Sequence, residues 1–277
     1  GTVASTGAVR SGNSRGYAHG IMAGSISITG GTIAATGDGS AGSGNYGYGM
    51  HGRNIFIDGG SVTANGVGSN GGGFGIYSYE TATYANGTVH ATGNSEGISF
   101  LGDVSVLGGS VTASGDYGGL ESQNGRVKIS GGSLTTTGDG WGISTQAGDI
   151  LFEGGTFDSS GGVFSRSGKI AVSAGTMKLR DSVVMANKGA IEIGGGEVVA
   201  ESFAAYEGDV RITGGDVTLN GEGNCIDSYS GNISVSGGKL TARSRWDGSY
   251  ALLARDGQID ISGGNIKACG GRGIAAS

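Results

Sequence analysis

The sequence predicts an all-β chain folded as a right-handed parallel β-helix, a solenoid of about eleven three-stranded coils. Three observations carry this. An apolar-x-apolar-x-Gly-Gly unit recurs along the whole chain, as in Ile26-Ser27-Ile28-Thr29-Gly30-Gly31 and Ile55-Phe56-Ile57-Asp58-Gly59-Gly60. Its second glycine falls at positions 31, 60, 87, 109, 132, 155, 175, 196, 215, 238 and 264, so successive copies lie 19 to 29 residues apart. That spacing is too short and variable for propeller blades, and the leucines of a leucine-rich repeat are missing. Finally, 64 of 277 residues are glycine and none is proline, which fits many tight turns in a chain whose N–H groups mostly join ladders.

Each unit holds three strand-like pieces. In Ile-x-Ile, the first, both apolar side chains share one face because side chains alternate along a strand. The second follows Gly-Gly, as in Ser61-Val62-Thr63-Ala64, with Val62 and Ala64 inward. The third is a shorter Gly-apolar-x piece, as in Gly97-Ile98-Ser99, Gly119-Leu120-Glu121 and Gly142-Ile143-Ser144. Handedness follows from strand twist. At the corner the first glycine gives way to Asn86 and Ala174, but the second never varies. That position requires φ > 0, or leaves no room for a Cβ between coils.

Composition excludes the other glycine-rich classes. Collagen needs proline and a period of three. Disorder needs low hydrophobicity and high net charge, whereas 36% of residues are hydrophobic and the net charge is −6. No composition shift or linker divides the chain, so residues 1–277 read as one β-helix domain. No apolar run reaches the ~20 residues of a membrane helix, so no membrane insertion is expected. The acidic balance, without a Lys/Arg stripe, argues against nucleic acid. Cys225 and Cys269 lie in non-equivalent parts of different repeats and are not expected to pair.

The repeat turns sequence positions into surface columns. Outward Ser and Thr of the second strands stack as Thr32/Ala34, Ser61/Thr63, Thr88/His90, Ser110/Thr112 and Ser133/Thr135. These read as soluble residues on exposed strands, and the ladder breaks at Lys178, Val199 and Lys239. On the third strands, aligning Gly16-Tyr17-Ala18-His19 with Tyr48-Gly49-Met50-His51 and Gly75-Ile76-Tyr77 places His19, His51 and Tyr77 in one column, continued by Ser99, Glu121 and Ser144. Two imidazoles one coil apart are half a metal site, but no third strong ligand is evident there.

The loops between second and third strands combine acidic Gly turns with aromatics: Asp38 with Tyr46 and Tyr48, Asp116-Tyr117, Asp139-Gly140-Trp141, and Trp246-Asp247. Such rings stack on the CH face of a sugar while carboxylates accept from its hydroxyls, so Tyr46, Tyr48, Tyr117, Glu121, Trp141 and Trp246 are the candidate ligand-binding residues. Asp38, Asp116 and Asp139 are candidates for holding calcium, which takes several oxygen ligands. Asp-Gly is also ordinary turn chemistry. No carboxylate pair, Ser-His-Asp set or phosphate loop stands out, so no enzyme is expected.

Val127-Lys128-Ile129-Ser130-Gly131-Gly132-Ser133-Leu134-Thr135, followed by Gly138-Asp139-Gly140-Trp141-Gly142-Ile143, resembles the I-x-I-x-G-G-T-[IV]…D-D-G-I units of bacterial carbohydrate-binding β-helix proteins. Asp116-Tyr117-Gly118-Gly119-Leu120-Glu121 also resembles their Y-E-G-L-E segment, with Gly118 where their Glu stands. The repeats further resemble the Gly-Gly-Thr-Val repeats of gut-bacterial surface proteins. The resemblance implies a secreted or surface protein, shaped like a polysaccharide lyase, that binds glycan and calcium without catalysis. The family's paired Asp is Gly-Asp here at Asp38 and Asp139.

The leading expectation is therefore an extracellular, non-catalytic module that binds polysaccharide. Two others stand beside it. A fibre or stalk subunit would stack head to tail, since the chain opens in a second strand at Thr2 and closes in a third at Ala275. A pectinase-like or lyase-like enzyme would use Glu121 with Asp116 and Asp139.

Overall fold

The computed structural model describes residues 1–8 and 16–276. These are all-β apart from one short 3-10 turn, Ser69–Gly71, and belong to the right-handed parallel β-helix class, with about ten turns. They fall into two compact units, Gly1–Gly125 with Ser130–Ser144, and Arg126–Ile129 with Thr145–Ser277.

In the first unit every coil repeats its three strands in parallel register. First strands stack Ile26 on Ile55, Ala82 and Val104. Second strands stack Val3 on Ile33, Val62, Val89, Val111 and Leu134. Third strands stack Ile21 on Met50, Ile76, Ile98 and Leu120. Apart from Ile21, Val3 and Ile33, these side chains are buried and form the three walls of the core. Each buried aliphatic side chain contributes about 1.5–3 kcal/mol relative to exposure. Tyr84 occupies an inward first-strand place between Ile57 and Val106. Its hydroxyl is fully buried and has no hydrogen-bond partner, and burial pushes its pKa far up.

The second unit repeats the scheme. One of its coils is Ile191–Ile193, Glu197–Ala200 and Ser202–Ala205. Ile170, Ile191, Val210, Ile233 and Ile259 stack in its first wall. Met177, Val198, Val217, Leu240 and Ile266 stack in the second, and Val184, Phe203, Ile226, Leu252 and Ile274 in the third.

Two glycine columns have separate causes. All eleven second corner glycines have φ between +66° and +88°, a region closed to most side chains. They also pass close to the neighbouring coil: a Cβ on Gly109 would lie 2.5 Å from the Gly87 carbonyl oxygen. Both sequence-based reasons for that glycine hold. In the first unit the third-strand glycines Gly49, Gly75 and Gly97 have ordinary φ but no room. A Cβ on Gly49 would stand 2.5 Å from the Asn65 amide nitrogen, and one on Gly75 the same distance from that of Thr92.

Buried hydroxyls close the turn from third strand to first strand. Ser122, Thr145, Ser165 and Ser228 each donate to the carbonyl three residues on, at 3.1, 2.7, 2.8 and 2.8 Å. This satisfies a carbonyl that the turn takes out of the ladder. The outward Ser/Thr ladder keeps its expected register from Thr32 through Ser61, Thr88 and Ser110 to Ser133. In the second unit the equivalent face is charged, with Lys239 on Asp216 at 2.8 Å and Arg180 on Asp158 at 3.2 Å. Such exposed pairs contribute about 0–1 kcal/mol each. Cys225 is buried, Cys269 is exposed, and both are free.

Gly109→Ala is expected to cost about 2 kcal/mol or more, from the left-handed backbone and the coil contact together. Gly24→Ala, with nothing within 4 Å of its Cβ, is expected to change stability by less than about 0.5 kcal/mol. Urea unfolding midpoints of the two variants check this; equal midpoints would refute the steric account. By the same measurement Tyr84→Phe is expected to gain about 1 kcal/mol, because it deletes an unsatisfied buried hydroxyl.

Candidate functional site

The third strands of the first unit gather a row of outward aromatic side chains and two imidazoles. The parallel ladder repeats every ~4.8 Å, so outward rings at equivalent positions meet face to face. Tyr17 is in register with Tyr46, and their rings stack at 5.6 Å and 15°. His19 is in register with Tyr48, and Tyr48 with Phe74, giving a second stack at 5.1 and 5.4 Å with 13° between planes in each case.

Tyr77 breaks the pattern. It is in register with His51 but stands crosswise, 83° to that ring, 69° to Tyr48 and 65° to Phe74. Tyr79 lies 5.3 Å from it at 85° and is half exposed. Edge-to-face geometry suits the ring quadrupoles and lets Tyr77 cover the edges of the stack.

The aromatic strip runs into carboxylates. Phe74 is in register with Glu96, and the column of His51 and Tyr77 continues through Ser99 to Glu121. The Ser95 hydroxyl donates to Glu96 Oε2 at 2.6 Å. Burial is the main cause that pushes the Glu96 carboxyl above its ordinary value, with the Glu121 charge adding to it. Burial, then the neighbouring Tyr79 and Glu121, push the Tyr77 phenol up. Tyr48 moves in the same direction, mainly by burial. These phenols therefore stay neutral hydrogen-bonding groups at physiological pH.

His19 and His51 sit inside this strip. Their Nδ1 atoms are 3.1 Å apart and their rings 4.8 Å apart at 26°. Burial lowers the pKa of His19, and burial followed by the neighbouring His19 lowers that of His51 to about 4. A cleft of about 350 Å³ opens beside His51, lined also by Met22, Ala23, Gly24, Gly52, Arg53 and Tyr79.

The candidate residues are placed unequally. Tyr46 is half-buried in its stack, and Tyr48 is 7% exposed with its ring lying between those of His19 and Phe74. Tyr48 offers no free ring face to a sugar, and Tyr17 takes one face of Tyr46. Tyr117 is 64% exposed and leans on the Ser69–Gly71 turn. Glu121 and Trp141 are half-buried in the same unit, while the exposed Trp246 belongs to the other.

Asp38 accepts from the Ser40 amide at 2.9 Å, and the Ser40 hydroxyl, followed by that amide, holds its carboxyl below the usual range. That is turn chemistry. Asp116 and Asp139 are exposed. Among the described residues no three His, Cys, Asp or Glu side chains group together.

The His column needs a register correction. The residue equivalent to Gly49 and Gly75 is Gly20, not Tyr17, so Met22 rather than His19 is in register with His51. Ser99 keeps its place in the column but is buried. Sequence reasoning did not single out Phe74, Tyr79 or Glu96. Aligning on the third-strand glycine finds two of them, since His19, Tyr48, Phe74, Glu96 and Trp141 each directly precede it.

In the second unit Tyr206 and Tyr229 stack at 4.5 Å and 7°, with the Arg255 guanidinium 4.3 Å from the Tyr229 ring centre. Asp227 holds that guanidinium through two bonds, at 2.9 and 2.7 Å.

No protein-family model matches this chain, and no curated protein or solved structure matches it either.

Because its carboxyl titrates above the ordinary 4.5, Glu96 favours folding below that pH and penalises it as pH rises through the folded value. Glu96→Gln is thus expected to gain stability relative to the unmodified protein over that interval. Unfolding series from about pH 4 to about pH 8 measure it. A difference that does not vary with pH would show that Glu96 is solvated like a free carboxylate.

Proposed function

We propose that this chain is a non-catalytic module that binds polysaccharide outside the cell, through the aromatic and carboxylate face of its first unit. One observation carries the reading. The strip of Tyr17, Tyr46, Tyr48, Tyr77 and Tyr79 runs directly into Glu96 and Glu121. Sugars are bound by that combination, with rings against CH faces and carboxylates or phenols for hydroxyls.

The rings exposed enough to stack on a sugar are Tyr17, Tyr79 and Tyr117, at 59, 50 and 64%. The covered rings hold them in place and exclude water. A rigid row of coils matches a ligand that itself repeats, so several sugar units bind in succession. Two carboxylates on the face and a chain charge of −6 favour neutral or amino sugars over uronates. The repeat-level resemblance to carbohydrate-binding β-helix proteins points the same way.

Tyr79→Ala and Glu121→Gln are each expected to weaken binding by about tenfold, the loss of one stacking or charged contact. Trp246→Ala is expected to leave it unchanged. A glycan array followed by titration with the best polymer checks this, and retention of no polymer would refute the proposal. Release of reducing ends or unsaturated products from a bound polymer would overturn its non-catalytic part.

A further inference from the structure

We propose that Met22, His19 and His51 form a binding site for a soft monovalent metal ion, copper(I) or its redox-inert analogue silver(I). The proposal does not rest on the polysaccharide reading. Its first support is the close pair of Nδ1 atoms, 3.1 Å apart on adjacent coils. An ion at an ordinary metal–imidazole distance of about 2.0 Å from each would see them at roughly 100°, near a tetrahedral angle. His51 is 6% exposed, and its other ring nitrogen has no partner. The His19 ring nitrogen is thus its one hydrogen-bond partner among the described residues.

The third ligand comes from the corrected register. Met22 is paired with His51 across the ladder and lines the same cleft of about 350 Å³. It is 67% exposed, the highest value among the large apolar side chains of the described residues. An outward thioether gains little from burial there, but it brings a soft donor to the mouth of a cleft that holds an imidazole. Thioether with imidazole selects copper(I), whereas calcium requires several oxygens and structural zinc four strong ligands.

The surroundings agree with a singly charged ion. Arg53 lines the cleft, but its guanidinium lies 3.6 Å from Glu80, whose carboxylate also accepts from Asn54 at 3.1 Å. The nearby acid is thereby engaged by its own neighbours, and the Arg53 charge is compensated. Tyr79 stands 5.1 Å from the His51 ring and walls the cleft on that side.

The test uses the full chain carrying Cys269→Ser, which removes the exposed thiol as a rival soft ligand. Under anaerobic conditions the protein competes with a coloured copper(I) chelator, without any glycan. One equivalent of copper is expected to transfer. Met22→Leu is expected to weaken retention by roughly tenfold or more, at least the loss seen for outer-shell partners, and His19→Ala to abolish it. Circular dichroism checks that both variants keep the β fold. Silver(I) titration followed by NMR is expected to move the Met22 methyl and the two imidazole signals together. No transfer from the chelator, equal retention by Met22→Leu, or silver-induced shifts confined to other residues would each overturn the proposal.

Discussion

The parallel hydrogen-bonded ladder between successive coils is the constraint from which the rest follows. It fixes the repeat along each wall at ~4.8 Å, so every side chain has its equivalents directly above and below. Inward positions must then be apolar in coil after coil, as in Ile191, Val210 and Ile233. Corners must turn without pushing side chains into the next coil, which restricts the second corner position to glycine with positive φ. Carbonyls that leave the ladder at the third corner need local donors, and Ser122, Thr145, Ser165 and Ser228 supply them.

The same spacing governs the candidate site. Rings placed one coil apart spend their faces on one another, which is why Tyr48 is buried between His19 and Phe74 instead of serving as a platform. Only rings that turn crosswise, lie at a column's margin or project from a loop keep a free surface. Tyr79, Tyr17 and Tyr117 are of this kind. A ladder also lets a column change chemistry in one step, from aromatic at Phe74 to carboxylate at Glu96. The resulting burial holds the phenols neutral and raises the Glu96 carboxyl. In the second unit outward columns instead alternate charges, so Glu192 meets Arg211 and Asp216 meets Lys239. Those pairs suit solubility more than stability.

The sequence by itself determined the parts that depend on a strict repeat. The first and second strands, the corner glycine and the outward Thr32, Ser61, Thr88 and Ser110 column are all present in the expected register. The inward apolar places and the corner glycine carry signatures that cannot vary without breaking the ladder. Tertiary structure decided what sits on the third strands. There the marking glycine is set by a close approach to the second strand, at Gly49 against Asn65 and Gly75 against Thr92. A segment with several glycines does not announce which one that is, and setting Tyr17 instead of Gly20 opposite Gly49 exchanged His19 for Met22. Burial is likewise a tertiary quantity. Whether an outward ring such as Tyr48 or a hydroxyl such as Ser99 meets solvent depends on its neighbours one coil away, and those are distant in sequence.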